Sequence, residues 1–255
     1  MAASIAQKVR LIKGDITKLP MVEAIVNAAN NRLMGGCGVD GAIHQAAGPE
    51  LRVACKELNG CDTGEAKMTG AFNITHNKAI IHAVGPRIDT KEGVTDVDRE
   101  QLRDCYISSL EVAVQNNLES IAFPCISTGI YSYPNELACS DVLDTVKDWL
   151  MENEDRDKIK LVVFCVFLHE DHVLYLKKLP EFFDGWKPEE KEDLVLEKKD
   201  IEEGIGRIEL VDCIEEDEGA VMDGVEEGKE GHDGADMDEA KTEKKDEKPE
   251  IVNLD

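Results

Sequence analysis

Three segments of the chain gather polar side chains and glycines in a pattern suited to holding a phosphorylated small molecule. In GDIT (Gly14–Thr17) an aspartate closes an apolar run. A carboxylate there can accept hydrogen bonds from an exocyclic amine, but Asp15 taken alone reads more simply as a turn residue. In NAANNRLMGGCGVDGAIHQAAG (Asn27–Gly48) two amides, Asn27 and Asn30, precede a stretch crowded with Gly35, Gly36, Gly38 and Gly41. Asn27 and Asn30 follow a buried run, so their amides need hydrogen-bonding partners. Glycine permits close approach of backbone to a ligand, and a helix opening just after it offers unpaired N–H groups and a partial positive charge to an anion. Asp40 falls near the start of that helix, where capping would also explain it. His44 lies one turn on along the same face and reads as structural. In PCISTGIYSYPNE (Pro124–Glu136) a run ends in Ser127-Thr128-Gly129 and a helix begins after Pro134, a second strand–loop–helix cradle for an anion. GxxxxGK[ST] is absent, which argues against nucleoside triphosphate hydrolysis. Two cradles suit the two phosphates of one diphosphate, with Tyr131 and Tyr133 placed either to cover an attached sugar or to pack.

The elements that must position these residues are legible as apolar runs. Lys8–Gly14, Ala24–Ala29, Ala79–Val84, Ser120–Ile126 and Ile159–Phe167 read as buried strands, and Ala66–Ile74 as a weaker one that alternates more. Between them, helices are expected over about Val39–Leu58, broken at Gly48-Pro49, and over Asp98–Asn117, Asn135–Glu152 and Glu170–Phe183. On the third of these Leu137, Val142, Leu143, Val146, Trp149 and Leu150 form an apolar stripe. Strands alternating with helices give an α/β fold, a three-layer α/β/α domain around a mixed, largely parallel central sheet. Ligands of such sheets sit at the carboxyl ends of the strands, where the polar segments above fall.

Composition sets the limits. The chain has 255 residues and a net charge of −25, and its last aromatic residue is Trp186. From Glu189 onward there are 27 acidic and 9 basic residues. Such a segment buries too little apolar surface to offset the entropy of ordering it. Residues 1–187 are therefore expected to form one folded domain and 188–255 a disordered acidic tail. The charge argues against binding duplex DNA or an anionic membrane, both of which need concentrated Lys and Arg. The eight cysteines (37, 55, 61, 105, 125, 139, 165, 213) show no CxxC pair and no zinc spacing, and read as reduced thiols. With neither a signal-peptide run nor an 18-residue apolar stretch, the expected setting is the nucleus, the cytoplasm or both, and the expected state a monomer.

Taken in order, GDIT, AIVNAANNRLMGGCGVDGAIHQAAG, GEAKMTGAF, IIHAVGP and FPCISTGIYSYP resemble the macrodomain family, in particular its MacroD-type branch. The resemblance covers about Lys8–Phe183 and implies an ADP-ribose cleft above the sheet. It places Asp15 at the adenine amine with the Ile16 backbone beside it, and Phe167 as the aromatic against adenine. Ser127, Thr128, Gly129 and Ile130 match the loop whose amides hold the diphosphate. Gly35, Gly36, Cys37, Gly38 and Val39 match the opposing loop, Asn30 and Asp40 the polar pair at the distal ribose, and Tyr131 the aromatic closing over that sugar. Cys37 stands where the family usually has a third successive glycine, and Ser132 where glycine often follows the tyrosine. If position 37 needs positive φ, a side chain there is strained. His82 takes a structural role.

The resemblance implies a hydrolase that removes mono-ADP-ribose from Asp and Glu esters of modified proteins, and also O-acetyl-ADP-ribose deacetylation. Its partners would be ADP-ribose and mono-ADP-ribosylated proteins. No metal ligand cluster is present in the sequence and no cofactor is implied. Asp40 would orient or deprotonate a water also held by a substrate phosphate, and Asn30 would fix the ribose hydroxyls. The alternatives are a non-catalytic reader of ADP-ribosylated proteins, and an acidic scaffold for which the domain is only an address.

Overall fold

A computed structural model of the chain describes residues 5–188; all of the expected tail, 188–255, except Pro188 lies outside the described residues. The apolar runs form six strands: β1 (Val9–Lys13), β2 (Ala24–Ala29), β3 (Ala66–Gly70), β4 (Ala79–Val84), β5 (Ser120–Phe123) and β6 (Leu161–Val166). They form one sheet in the order β1-β6-β5-β2-β4-β3. Every pairing is parallel except that of the edge strand β3 with β4, which is antiparallel. The sheet is thus mixed and largely parallel, as expected. β5 stops at Phe123 rather than Ile126, since Pro124 has no N–H to continue the ladder.

Five α-helices connect the strands: α1 (Gly38–Ala47), α2 (Pro49–Glu57), α3 (Asp96–Gln115), α4 (Asn135–Glu152) and α5 (His169–Phe182). The expected break falls at Gly48, which ends α1 with φ 87°, while Pro49 opens α2. α3 begins two residues before the expected Asp98, because Thr95 and Asp98 form a reciprocal capping box.

Alternation along each strand sends successive side chains to opposite faces. Val26, Ile81, Phe123 and Phe164 pack with Leu102, Tyr106 and Leu110 of α3, Val142 and Val146 of α4, and Leu179 of α5. Ile25, Ile80, Ala122 and Val163 pack on the other face with Ile43 and Ala47 of α1 and Leu51 and Cys55 of α2. Helices thus cover both faces in three layers. Of the expected α4 stripe, Leu137 does not join the core: it is 38% exposed while its five partners are buried.

Six cysteines (55, 61, 105, 125, 139 and 165) are free thiols, and burial pushes the pKa of each up, to about 11 at Cys55 and about 12 at Cys165. Cys37 is not among these free thiols, and Cys213 lies outside the described residues. Among the described residues no helix is long and apolar enough to cross a membrane.

Candidate functional site

Because β1, β2, β4, β5 and β6 run parallel, the segments that follow them emerge at one edge of the sheet. These are Gly14–Thr17, Asn30–Cys37, Gly85–Ile88, Pro124–Tyr133 and Phe167. Gly14 N donates to Val166 O at 3.0 Å, which sets the Asp15 turn beside the end of β6. Asp15 Oδ1 accepts from Thr17 N at 2.9 Å and from Thr17 Oγ1 at 2.7 Å, so the carboxylate does cap a turn. Both bonds fall on Oδ1, which leaves Oδ2 outside that turn. Ile16 is buried, whereas Phe167 is 59% exposed just past β6.

At the opening of α1 the backbone closes tightly around Asp40. A Cβ on Gly36 would stand 3.1 Å from Asp40 Oδ2 and 3.4 Å from Asn30 Nδ2, and one on Gly41 only 2.5 Å from Gly36 O. Glycine at 36 and 41 is what allows loop and helix to touch and brings Asn30 and Asp40 to the same spot. Asn30 Nδ2 donates to Gly35 O at 3.1 Å and its Oδ1 accepts from Arg32 N at 3.1 Å, which fixes the loop's curvature. Asp40 is 3% exposed. Burial pushes its pKa up, against the lowering effects of a hydrogen bond from Asn27 and the nearby His44. The His44 ring lies against Gly35, its Nε2 3.5 Å from Asp40 Oδ1, and burial lowers its pKa against the raising effect of that carboxylate. Cys37 precedes the helix with φ −98° and ψ 176°, extended backbone that any residue adopts, so the strain considered for it is absent. Gly38 and Val39 follow as the first residues of α1.

The second cradle rests on Gly85. A Cβ there would lie 2.1 Å from Ser127 Oγ and 2.6 Å from Ile126 Cγ2. Ser127 adopts left-handed backbone with φ 66°. Its hydroxyl is buried without a hydrogen-bond partner among the described residues. Tyr133 N donates to Ser127 O and Ser132 N to Gly129 O, both at 2.9 Å, and Thr128 Oγ1 donates to Cys125 O at 3.2 Å. These bonds hold the loop, and Ile130 projects from it 59% exposed. Ser132 itself is left-handed, with φ 59°, the conformation for which glycine is favoured.

Tyr131 and Tyr133 part ways across that turn. Tyr131 is half-buried under Arg87, whose guanidinium carbon lies 5.9 Å from the ring centre, and its carbonyl accepts from Ile88 N at 2.9 Å. Tyr133 is 1% exposed and donates to Asp141 Oδ2 at 2.8 Å. It belongs to the packing of α4 and is unavailable to a sugar, so of the two readings offered for the tyrosines only packing holds there.

Three features escape a reading of the segments alone. Gly85 underlies the Ser127 loop, and its one signal is its place directly after the buried run AIIHAV. Asn135 donates to the buried Asp171 and so ties the start of α4 to that of α5. Asn27 donates to Asp40 Oδ1 at 2.7 Å. Its signal was an amide inside an apolar strand, which requires a partner without naming it. Among the described residues no group of three or more His, Cys, Asp or Glu is placed to hold a metal ion.

A family model described as Macro domain matches residues 26–141, the stretch from β2 into α4. The chain is 52% identical over 189 residues to the ADP-ribose glycohydrolase MACROD2 of Xenopus laevis, an alignment covering 73% of this chain and 44% of that protein. It thus spans less than half of that relative's length. It is 47% identical over 171 residues to a macro domain-containing protein of Chlorobaculum tepidum, covering 67% of this chain and 95% of the relative. The Trypanosoma brucei macrodomain, solved in complex with ADP-ribose, matches with a TM-score of 0.61 and 37% identity over 68% of this chain and 70% of that one. With a three-layer sheet, two loop cradles at its carboxyl edge and a near full-length relative at this identity, the chain belongs to the macro domain family.

Proposed function

We propose that the chain binds ADP-ribose along the carboxyl edge of the sheet and hydrolyses the ester joining its distal ribose to an Asp or Glu side chain of a modified protein. The observation that carries the reading is the convergence of Asp40 Oδ2 and Asn30 Nδ2 on Gly36, at the mouth of a helix that opens beside a glycine-rich loop. Adenine would lie between Asp15, the Ile16 backbone and the exposed Phe167. The diphosphate would sit between the amides of Gly35–Val39 and those of Ser127–Ile130, where the start of α1 favours negative charge. The distal ribose then reaches Asn30 and Asp40 with Tyr131 over it.

Ester cleavage needs a placed water, a base and control of developing negative charge. Burial makes Asp40 a stronger base than an exposed carboxylate. It would orient or deprotonate a water that adds to the ester, while Asn30 holds the ribose hydroxyls. The ribose–carboxylate bond breaks, the side chain is restored and ADP-ribose departs with its hydroxyl. O-acetyl-ADP-ribose carries another ester at the same ribose, so it is a second expected substrate. The glycohydrolase activity for which the MACROD2 relative is named and the ADP-ribose complex of the Trypanosoma brucei macrodomain support this reading.

The test is incubation with a protein mono-ADP-ribosylated on glutamate, following free ADP-ribose. Release, unchanged by a chelator, is expected. Tight binding of ADP-ribose with none released from any modified carboxylate would identify a non-catalytic reader instead.

A further inference from the structure

Behind the loop lies a group of polar side chains in otherwise apolar surroundings. β2 turns Ile25, Asn27 and Ala29 toward α1 and α2, and β4 turns Ile80, His82 and Val84 the same way. Asn27 and His82 are register partners across the two strands. Asn27 and His82 are 0% exposed, Asp40 3% and Thr69 7%. Polar groups so deep need one another as partners, and of their buried atoms Asn27 Oδ1 alone has none among the described residues.

Their hydrogen bonds have a single consistent direction. An amide nitrogen only donates, so Asn27 Nδ2, 3.1 Å from His82 Nδ1, makes Nδ1 the acceptor and leaves the proton on Nε2. Nε2 lies 3.0 Å from Thr69 Oγ1 and 3.6 Å from Cys55 Sγ, and Thr69 Oγ1 also lies 3.1 Å from Gly70 O. Burial lowers the ring's pKa to about 3, which keeps it neutral. The second amide hydrogen of Asn27 goes to Asp40 Oδ1 at 2.7 Å. Turning the Asn27 amide over would set its oxygen against the Asp40 carboxylate. The bond to Oδ1 leaves the other carboxylate oxygen, Oδ2, facing Gly36 and the loop.

We infer that Asn27 is a positioning residue for the Asp40 carboxylate, held in its donating orientation by the buried chain His82–Thr69–Gly70. The inference rests on the role proposed above for Asp40. Asn27 touches no part of the expected ligand and acts through the carboxylate alone.

The test has two arms, one of which needs no turnover. In the first, carbon-13 NMR follows the titration of the Asp40 carboxyl in wild type and in Asn27→Leu. Loss of the donated hydrogen bond moves that titration upward; an unmoved titration overturns the proposal. In the second, release of ADP-ribose is measured for Asn27→Leu alone and in an Asp40→Ala background. Alone, kcat falls about tenfold, the rate equivalent of one hydrogen bond to a charged group, while the Kd for ADP-ribose changes less than about twofold. In the Asp40→Ala background the same substitution has no further effect on kcat. A tenfold loss that persists there shows Asn27 to be a structural filler and overturns the proposal. Should Asn27→Leu fail to fold, Thr69→Val removes the far anchor of the chain and Thr69→Ser, which keeps the hydroxyl, recovers what it loses. Equal loss in both Thr69 variants also counts against the proposal. If wild type releases no ADP-ribose but the titration moves, the hydrolase reading fails and the positioning of Asp40 by Asn27 stands.

Discussion

Lowering the pH from 7 to 5 is expected to weaken the fold through His82. An imidazole in water takes up a proton near 6.5, whereas burial holds this one at about 3. With the folded pKa depressed, the unfolded chain binds the proton and the folded chain does not. The stability carried by the neutral ring is complete above the unfolded pKa and is lost as pH falls toward the folded one. Each pH unit in that window costs about 1.4 kcal/mol, so roughly 2 kcal/mol is gone at pH 5. For a domain of this size that equals a fall in Tm of about 4–8 °C. Burial lowers the pKa of His44, which adds in the same direction, while the raised pKa of Asp40 acts in the opposite one. His82→Gln isolates the contribution, since an amide does not titrate and the other groups cancel in the comparison. Urea unfolding of both proteins at pH 7 and pH 5 gives the difference directly. The advantage of wild type over the variant should shrink by about 2 kcal/mol between the two conditions. A difference constant to within about 0.5 kcal/mol would refute the picture of a buried, neutral His82.

Asp40→Ala should cut release of ADP-ribose by about 10²–10⁴-fold while binding of free ADP-ribose, followed by calorimetry, falls much less. In wild type the acid limb of the pH–rate profile should lie above the ordinary aspartate range, because Asp40 must be ionised to act and burial raises its pKa; a limb at or below that range would point to another base. Asp15→Ala should weaken ADP-ribose by about 1.5–3 kcal/mol and leave ribose phosphate nearly unchanged; equal weakening would make Asp15 a turn residue only. Gly85→Ala forces Ser127 or Ile126 to move, and should raise the Kd for ADP-ribose about tenfold and cost about 1–3 kcal/mol of stability by urea unfolding.

The strands AIVNAA and AIIHAV and the helix Asn135–Glu152 were legible residue for residue. Continuous apolar runs bounded by polar residues, and a proline before a helix, mark their own ends. The pairing of Asn30 with Asp40 was implied only by the family resemblance, since the glycine-rich loop by itself left Asp40 open to a capping role; the structure brings both side chains to Gly36. What was hidden depends on register. Asn27 meets His82 across 55 residues because two parallel strands happen to align them, and no local pattern states that alignment. The separate fates of Tyr131 and Tyr133 follow from the left-handed turn at Ser132, which a serine does not announce. The same holds for Gly85, whose neighbour Ser127 arrives from another strand.

The contact of Gly41 with the Gly36 carbonyl has a consequence for descent. The loop proposed to grip the phosphates and the helix bearing Asp40 are fused into one piece at that point. A lineage therefore cannot loosen its grip on ligand there without also displacing the carboxylate. The open route to a chain that binds and does not cleave is replacement of Asp40 itself, with both glycines retained. In diverging copies of this gene, silent members should keep glycine at 36 and 41 and vary at 40, and the reverse combination should be rare.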